Sequence, residues 1–284
     1  MWRGVAIRGT PLAMSKSVLV TGANSGIGLQ TVLELARRGY RPVGSVQSEA
    51  KAEIVAKAAA DAGVEVDTVQ LDVTDAGACE EVVAGLHLFG LVNNAGYAVT
   101  GAVEDVDDEE ARQLLETMVV APMRLARLAL PGMRERGEGR IVNVSSIAGI
   151  ATAPLAGWYT AAKHGLEALS DALRVEVASS GVKVVLVEPG GFRTGIWEDM
   201  ECDIEQRGDS RYGPAYRRSQ RAMRFGDPLM GDPSQVASVI AKALGARMPR
   251  ARYLVGIDAQ LMALGDRFTP TLVKDVLSRI TLGL

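Results

Sequence analysis

Two side chains, Tyr159 and Lys163, have the types and the spacing that indicate chemistry, because they lie four residues apart. On a helix, residues four apart lie one turn apart on the same face. A free phenol has a pKa of about 10 and exchanges protons poorly near neutral pH. A neighbouring ammonium favours the phenolate, so the sequence predicts that Lys163 lowers the pKa of Tyr159. Such a pair is suited to moving a proton to or from an alcohol oxygen.

A glycine-rich segment follows the first strand-like run and leads directly into a helical pattern. Its glycines are spaced Gly-x-x-x-Gly-x-Gly. Glycines let the backbone turn tightly and approach a pyrophosphate, and a helix N-terminus offers free N–H groups and the positive end of a dipole. The segment therefore predicts a dinucleotide site. Its predicted contact residues are Gly22, Asn24, Ser25, Gly26, Ile27 and Gly28.

The elements around these motifs alternate between short β-branched runs and helical patterns, which predicts a parallel sheet. The predicted strands are Ser17–Thr21, Arg41–Val46, Val64–Leu71, Gly90–Asn93, Arg140–Ser145, Val182–Glu188 and Arg252–Val255. The predicted helices are Ile27–Arg38, Glu49–Ala62, Ala76–Leu86, Glu109–Arg136 and Trp158–Ser179. Several strands are nearly continuous apolar runs, as expected of strands covered on both faces. We therefore expect an α/β chain with a doubly wound Rossmann fold, its mostly parallel seven-stranded sheet carrying helices on both faces.

Three segments do not follow this alternation of strands and helices. Residues 1–14 are expected to be a dispensable N-terminal extension, and residues 15–284 a single domain. Residues 190–233 are long and polar, which predicts a substrate lid or a disordered loop. The lid aromatics either face an apolar substrate or anchor the lid: they are Trp197, Tyr212, Tyr216 and Phe225. Residues 258–284 carry apolar side chains at helical spacing and are expected to pack on the core, with a pocket wall or a subunit contact as alternatives.

Composition excludes several classes of protein. The net charge is −3, so no general electrostatic attraction to nucleic acid or to an anionic membrane is expected. No apolar run approaches the ~20 residues that span a bilayer. Cys79 and Cys202 match no metal or disulfide spacing, and neither do the two histidines, so no metal is expected. Free thiols favour a reducing compartment, hence a cytoplasmic protein.

Further motifs follow the glycine segment in a fixed order. They are Asn93-Asn94-Ala95-Gly96, Ser145-Ser146, Tyr159-x-x-x-Lys163 and Pro189-Gly190, each at a predicted strand end or helix start. With these motifs the sequence resembles the short-chain dehydrogenase/reductase family, from Lys16 to about Val255. The resemblance implies an NAD(P)(H)-dependent oxidoreductase that interconverts an alcohol and a carbonyl.

The resemblance also implies catalytic roles. The family places a serine thirteen residues before the tyrosine, which selects Ser146 over Ser145, with the reverse assignment still open. The catalytic set is then Ser146, Tyr159 and Lys163. The family commonly adds an asparagine on the preceding helix as part of a proton relay. Here that position is Met118, and no asparagine occurs between Asn94 and Asn143. A thioether is only a weak acceptor and does not replace an amide.

The cofactor is expected to be NADP(H) rather than NAD(H). Neither Val46 nor Gln47, which end the second strand, is acidic, and Lys51 is near enough in sequence to receive a 2′-phosphate. Asp72 and Val73 resemble the family's adenine contacts, with an N-cap role for Asp72 as the alternative. The remaining contacts implied by the resemblance are Asn93, Ala95, Gly96, Tyr159, Lys163, Pro189, Gly190 and Thr194.

The substrate and the assembly are implied more weakly. The run Arg252–Ala259 resembles the retinol- and 17β-hydroxysteroid-dehydrogenase-like branch, which implies a lipophilic substrate such as a steroid, a retinoid or an aliphatic ketone. A homodimer or homotetramer through Glu109–Arg136 and Trp158–Ser179 is implied too. A second hypothesis is a nicotinamide-nucleotide-binding redox sensor with little turnover, which Met118 favours and the Ser–Tyr–Lys set opposes. A third, a non-redox isomerase or dehydratase, is disfavoured by the glycine spacing and by the chain length.

Overall fold

The computed structural model describes residues 16–226 and 230–284, and its centre is a seven-stranded sheet. The strands are β1 Ser17–Val20, β2 Arg41–Val46, β3 Asp67–Gln70, β4 Leu88–Asn93, β5 Gly139–Val144, β6 Val182–Pro189 and β7 Arg252–Val255. Their order is β3-β2-β1-β4-β5-β6-β7, and every neighbouring pair is parallel. The α/β doubly wound fold is thus confirmed, with a sheet that is wholly rather than mostly parallel. The predicted extension, residues 1–14, lies outside the described residues.

Helices cover both faces of this sheet. They are α1 Gly26–Arg37, α2 Glu49–Asp61, α3 Ala76–Ala84, α4 Asp108–Leu115, α5 Ala121–Arg136, α6 Gly157–Glu176, α7 Ile196–Gln206, α8 Gly213–Gly226, α9 Pro233–Gly245, α10 Ile257–Phe268 and α11 Thr271–Leu282. One apolar core joins the sheet to α1 and α9 through side chains such as Val32 and Ile240. A second core on the other face joins it to α3 and α5 through side chains such as Val82 and Leu125.

The strand order determines where a ligand can bind. The chain runs outward from β1 to β3 on one side and from β4 to β7 on the other. Such a reversal leaves a crevice outside the carboxyl ends of β1 and β4, where open α/β sheets bind their ligands. The Gly22–Gly28 segment follows β1, and the Asn94–Gly96 segment follows β4.

The prediction of a single helix over Glu109–Arg136 is wrong, because a π-helical turn at Glu116–Val120 separates α4 from α5. The Ala121 N–H donates to the Glu116 carbonyl, five residues back instead of four. Pro122 explains the interruption, because a proline has no N–H and its ring clashes with the carbonyl four residues earlier, here Met118. The predicted strand Val64–Leu71 is also shortened to Asp67–Gln70, since Gly63 and Val64 still bond back to α2.

The lid segment, residues 190–233, holds two helices, α7 and α8, so the prediction of a loop is wrong. Tyr216 is fully buried, and its hydroxyl donates to Asp105 at 2.7 Å and accepts from the Ala102 N–H at 2.7 Å. Tyr216 therefore anchors the lid and does not face a substrate. Arg207 anchors it too, with Glu110 at 2.5 Å. The side chain of the fourth lid aromatic, Phe225, lies outside the described residues.

The tail is helical as expected, but most of its large apolar side chains do not pack on the core. The only buried residue of α10 is Ala259, and α11 buries none. Leucines, isoleucines and a phenylalanine of both helices face outward instead. None of the helices in the described ranges has the length and apolarity to cross a bilayer.

Candidate functional site

The loop between β1 and α1 forms a cradle whose glycines are required by its geometry. Gly22 and Gly26 have φ of +67° and +50°, which side-chain-bearing residues rarely adopt. A Cβ at Gly28 would stand 2.1 Å from the Gly22 carbonyl oxygen, so only glycine lets α1 pack this closely. Ser25 is the N-cap of α1, but its hydroxyl makes no capping bond and the first turn is free of acidic residues. The first N–H groups of α1 therefore face an open, electropositive space.

The segment after β4 is tied to this cradle by hydrogen bonds. The Thr21 hydroxyl accepts from the N–H groups of Asn94 and Ala95, both at 2.9 Å. The Asn94 amide donates to the Thr21 carbonyl at 2.9 Å and to the Gly22 carbonyl at 3.2 Å. Asn94 thus fixes the two ligand-facing loops to each other.

A cleft of about 760 Å³ opens between these loops and extends to the ends of β2 and β3. This volume lies within the range of small-molecule sites. Predicted cofactor residues that line it are Gly22, Asn24, Ser25, Gly26, Ile27, Gln47, Asp72, Val73, Ala95, Gly96 and Thr194. Predicted residues outside its lining are Gly28, Asn93, Tyr159, Lys163, Pro189 and Gly190.

Asn93 lies in the core instead of on the cleft wall. Its amide donates to the Asn143 side chain at 2.8 Å and to the Pro122 carbonyl at 3.3 Å. The Asn143 amide in turn donates to the Ser170 hydroxyl at 2.7 Å. This buried polar chain joins β4, β5 and α6 behind the site. Asn94, which the prediction passed over, reaches the cleft because successive strand residues point to opposite sides.

Pro189 and Gly190 support the tail instead of facing the cleft. The Gly190 N–H donates to the Val255 carbonyl at 2.9 Å. A Cβ at Gly190 would stand 2.1 Å from an Asp258 carboxylate oxygen, so the glycine makes room for the start of α10. Thr194, four residues on, rests on the cradle, with its Cγ2 at 3.1 Å from the position of a Cβ on Gly26.

The end of β2 carries a polar pair in the cleft. The Lys51 ammonium donates to the Gln47 side chain at 2.7 Å, and both residues line the cleft. Ser48, the N-cap of α2, accepts from the Lys51 N–H and does not line the cleft. The cleft therefore offers one cation and an amide at this point, and no carboxylate at the end of β2.

Asp72 is not the cap of the next helix. That role belongs to Asp75, whose carboxylate accepts from the Ala78 N–H at 3.0 Å. The Asp72 carboxylate accepts from the N–H and hydroxyl of Thr74, at 2.9 and 2.7 Å, and remains exposed on the cleft wall. The alternative raised from the sequence is thereby resolved, and Asp72 is available to a ligand.

The three predicted catalytic residues meet beyond the Asn94–Gly96 segment. Ser146 follows β5; its hydroxyl accepts from the Ala148 N–H at 3.1 Å and lies near enough to the Tyr159 phenol to lower its pKa. Lys163 is buried one turn along α6; its ammonium donates to the Val144 carbonyl at 2.9 Å and lies 5.8 Å from the Tyr159 ring centre. Ser145 is turned into the core, and its hydroxyl has no hydrogen-bond partner among the described residues.

The pKa directions differ from the simple expectation for a Tyr–Lys pair. Burial raises the pKa of Tyr159, and the hydrogen bond from Ser146, not Lys163, opposes this rise. The prediction that Lys163 lowers this pKa is therefore wrong here. Burial also lowers the pKa of Lys163 to about 8, while the charge of Glu167 acts to raise it. At neutral pH the phenol keeps its proton and the lysine stays largely charged.

Behind Lys163 lies a buried acidic group that the sequence analysis did not single out. Arg252 contacts Glu167 at 3.1 Å, Glu188 at 3.1 Å and Asp171 at 2.6 Å. Glu188 is fully buried, and burial together with the charge of Glu167 raises its pKa to about 7. Helical spacing is the signal that was available, since Lys163, Glu167 and Asp171 each lie four residues apart.

Met118 takes the place where a relay asparagine was expected. It is buried, and its methyl group lies 3.0 Å from the position of a Cβ on Gly96. It belongs to an apolar cluster with Leu114 and Ala162, against which Tyr159 packs. Gln113 and Thr117, which the sequence analysis missed, bring polar side chains to the cleft from the same segment. Their i,i+4 spacing puts both on one helix face.

These features fit a dinucleotide. The positive-φ glycines, the open N-terminus of α1 and the volume of the cleft suit a pyrophosphate between two nucleosides. Gln47, Lys51, Asp72 and Val73 line the end of the cleft where β2 and β3 finish. Within the described ranges, no group of three or more histidine, cysteine or carboxylate side chains could hold a metal.

A doubly wound parallel sheet with this cleft and this Ser–Tyr–Lys group defines a class, the Rossmann-type oxidoreductases. Residues 16–205 match the family described as short chain dehydrogenase. The chain belongs to the short-chain dehydrogenase/reductase family, and it is an oxidoreductase of that family.

Relatives support the assignment over nearly the full length. An uncharacterized oxidoreductase of Bacillus subtilis, YusZ, is 35% identical over 260 residues, covering 88% of this chain and 92% of that protein. Retinol dehydrogenase 7 of Mus musculus is 32% identical over 282 residues, covering 92% and 87%. The crystal structure of an actinorhodin polyketide ketoreductase variant with NADPH superposes with a TM-score of 0.75 at 31% identity, covering 87% of this chain and 97% of that chain.

Proposed function

We propose that this protein is an NADP(H)-dependent dehydrogenase/reductase that interconverts a lipophilic alcohol and its carbonyl. The observation that carries the proposal is the meeting of Ser146, Tyr159 and Lys163: the Ser146 side chain acts on the pKa of the Tyr159 phenol, and the Lys163 ammonium lies 5.8 Å from the Tyr159 ring centre. A nicotinamide ring, when bound, supplies or accepts a hydride. The remaining chemistry, which is binding the substrate oxygen and moving one proton, belongs to this chain.

Tyr159 and Ser146 share the work at the substrate oxygen. We place that oxygen between the two hydroxyl groups, where Ser146 donates a hydrogen bond as negative charge develops. Tyr159 then gives its proton to the oxygen in reduction, or takes it back in oxidation. Because burial keeps the phenol protonated, the site is prepared for carbonyl reduction at neutral pH. We assign Lys163, whose ammonium lies 5.8 Å from the Tyr159 ring centre, to holding the cofactor next to the phenol.

The cofactor residues remain those predicted, except that four are reassigned to supporting roles: Gly28, Asn93, Pro189 and Gly190. We assign pyrophosphate binding to the cradle and the 2′-phosphate to Lys51 and Gln47, which gives NADP(H) the advantage. The NADPH held by the ketoreductase relative supports this preference. Gly28, Asn93 and Gly190 are structural residues behind the site.

The lid supports a lipophilic substrate. A second cavity of about 530 Å³ lies between the cradle and the lid helices; Trp197, Met223 and Met230 line it together with the polar side chains of Arg193, Thr194, Glu198 and Glu201. Met and Trp side chains provide adaptable apolar contacts. We propose that residues 15–284 act as one domain whose lid segment closes this cavity over a steroid-, retinoid- or aliphatic-ketone-like molecule.

We also propose a homo-oligomer, built on α5 and α6, in the cytoplasm. Val120, Leu169 and Val175 are large apolar side chains exposed along these helices. Cys79 and Cys202 are free thiols, as a reducing compartment allows. The redox-sensor hypothesis gains no support, since Ser146, Tyr159 and Lys163 are all in place.

The test is a cofactor-absorbance assay with NADPH over a panel of steroids, retinoids and aliphatic ketones. We expect NADPH to be consumed with at least one lipophilic ketone. Ser146→Ala should lower kcat about 10²-fold or more, as expected for removing a donor to a developing oxyanion. Ser145→Ala is the matched control and should retain activity. Cofactor binding without consumption on any panel member would favour the sensor hypothesis, and loss of activity in Ser145→Ala alone would reverse the serine assignment.

A further inference from the structure

The two C-terminal helices present their apolar sides to solvent. On α10 the exposed stripe is Ile257, Leu261, Leu264 and Phe268, whose side chains are between 58% and 77% exposed. Their spacing of four, three and four residues follows one face of a helix. Soluble surfaces carry single apolar side chains routinely, but an ordered stripe of four is unusual.

α11 repeats the arrangement. Its apolar residues are Leu272, Val273, Val276, Leu277 and Ile280, all exposed, with Leu272 at 74% and Ile280 at 73%. The helix rests on the protein through the opposite side. Leu282 joins the apolar cluster around Tyr216, and the Lys274 ammonium pairs with Asp266 of α10 at 2.5 Å. The large apolar residues of α11 other than Leu282 therefore face outward, alongside the exposed Asp275 and Arg279, whereas a surface helix ordinarily turns its apolar face to the protein.

A basic helix lies beside these stripes. α8 carries four arginines and no acidic residue. Arg217, Arg218 and Arg221 are exposed, and none forms an ion pair with another residue in the described ranges. α8 packs against α11, with the Arg218 guanidinium lying against the Cα of Gly283. Although the net charge is −3, positive charge is concentrated next to the apolar surface.

We propose that α10 and α11 form a docking surface for an anionic lipid bilayer, with the α8 arginines contacting the lipid headgroups. An amphipathic helix that lies in a membrane interface combines such an apolar face with neighbouring basic residues. A second copy of this chain is a poorer occupant. Two-fold pairing through this surface would bring the three exposed arginines of each copy together, and Asp275 is the one exposed, unpaired carboxylate that α10 and α11 offer in each copy to balance them.

The docking surface formed by α10 and α11 adjoins the lid and the cavity beneath it. α10 starts directly after β7, packs on the turn that follows Ser146, and holds the start of the lid through Asp258, which accepts from the Gly191 N–H at 2.6 Å. A bilayer against α10 would therefore lie next to the cavity under the lid. A lipophilic substrate would then pass from the bilayer into the cavity without crossing water. This route for the substrate rests on the proposed function, whereas membrane docking itself does not.

The experiment is co-flotation of the full chain with phosphatidylcholine vesicles, prepared with and without phosphatidylglycerol. We expect binding to the phosphatidylglycerol vesicles that weakens as salt is added. The double variant Leu261→Asp/Ile280→Asp should lose about tenfold or more of this binding. Arg217→Gln/Arg221→Gln should lose most of the preference for phosphatidylglycerol. Met248→Asp, at a side chain that is 87% exposed outside this surface, is the matched control and should bind as the wild type does.

Each variant is checked for NADPH binding and for turnover of a water-soluble ketone, which we expect to stay at the wild-type level. Wild-type protein that stays free of both kinds of vesicle would overturn the proposal. Equal loss in Met248→Asp would overturn it as well. Light scattering that shows a smaller assembly for Leu261→Asp/Ile280→Asp, without vesicle binding by the wild type, would assign the surface to a second copy.

Discussion

The side chain of Met118 lies against Gly96, so that a Cβ on Gly96 would stand 3.0 Å from the Met118 methyl group. This contact joins the cleft wall to the apolar cluster on which Tyr159 packs. The position expected to carry a polar relay residue thus serves packing, and the π-helical turn at Glu116–Val120 holds it there.

Restoring the asparagine should therefore cost stability. Met118→Asn buries an amide among apolar neighbours, and we expect the free energy of unfolding to fall by about 1–3 kcal/mol. We expect no gain in kcat, because the surrounding cluster provides no partner for the amide. Thermal unfolding and steady-state kinetics measure both, with Met118→Leu as the size-matched control that should cost less than about 1.5 kcal/mol. A faster Met118→Asn enzyme of unchanged stability would refute this account.

The two directions of the reaction should depend differently on pH. Burial raises the pKa of Tyr159, so the phenol that donates a proton persists through neutral pH. Ketone reduction should therefore stay level across neutral pH and fall in the alkaline range, while alcohol oxidation should rise with pH. Profiles of kcat/KM in both directions measure this. Oxidation that is already maximal below neutral pH would contradict the raised pKa.

Glu188 should make stability fall as pH rises. Its pKa is about 7 in the folded chain, above the ordinary glutamate value, so folding favours the protonated form. This contribution is complete below the unfolded pKa of about 4.3 and is lost as pH rises through 7. Relative to Glu188→Gln, wild-type Tm should therefore decline by a few degrees between pH 5 and 8. Glu135→Gln, at an exposed site, is the control and should track the wild type.

Lys51 should decide the cofactor preference. Lys51→Gln removes the cation at the end of β2, and we expect the Kd for NADPH to rise about tenfold, the size of one charge-assisted hydrogen bond. The Kd for NADH should not change. Lys57→Gln, exposed on the same helix, is the matched control. Fluorescence titration of the wild type and both variants measures the six constants, and an equal loss of affinity for both cofactors in Lys51→Gln would place the 2′-phosphate elsewhere.

The sheet and most of the cleft could be predicted from the sequence, because β-branched runs and glycine spacing follow directly from what the local backbone requires. The sequence did not predict the features that depend on contacts between residues distant in the chain. Nothing local indicates that Tyr216 would be buried against Asp105, or that Asn93 would turn to Asn143 while Asn94 turns to the cleft. Burial likewise reverses the pKa direction inferred for Tyr159 from Lys163 alone.

Two errors had signals in the sequence. Pro122 marks the break in the predicted helix Glu109–Arg136, since a proline in mid-helix displaces the carbonyl of Met118. The stripe from Ile257 to Phe268 predicts a helix, but periodicity cannot tell whether the apolar face meets the core or an outside partner.

The central claim is that Tyr159 moves the proton in a nicotinamide-dependent reaction, and Tyr159→Phe tests it most directly. NADPH binding and NADPH consumption are measured on the same preparation, with the best ketone of the panel. The substitution removes only the phenolic hydroxyl, so we predict that the Kd for NADPH rises no more than about tenfold, the size of one lost hydrogen bond, while kcat falls about 10²–10⁴-fold. Turnover by Tyr159→Phe at the wild-type rate would contradict the account.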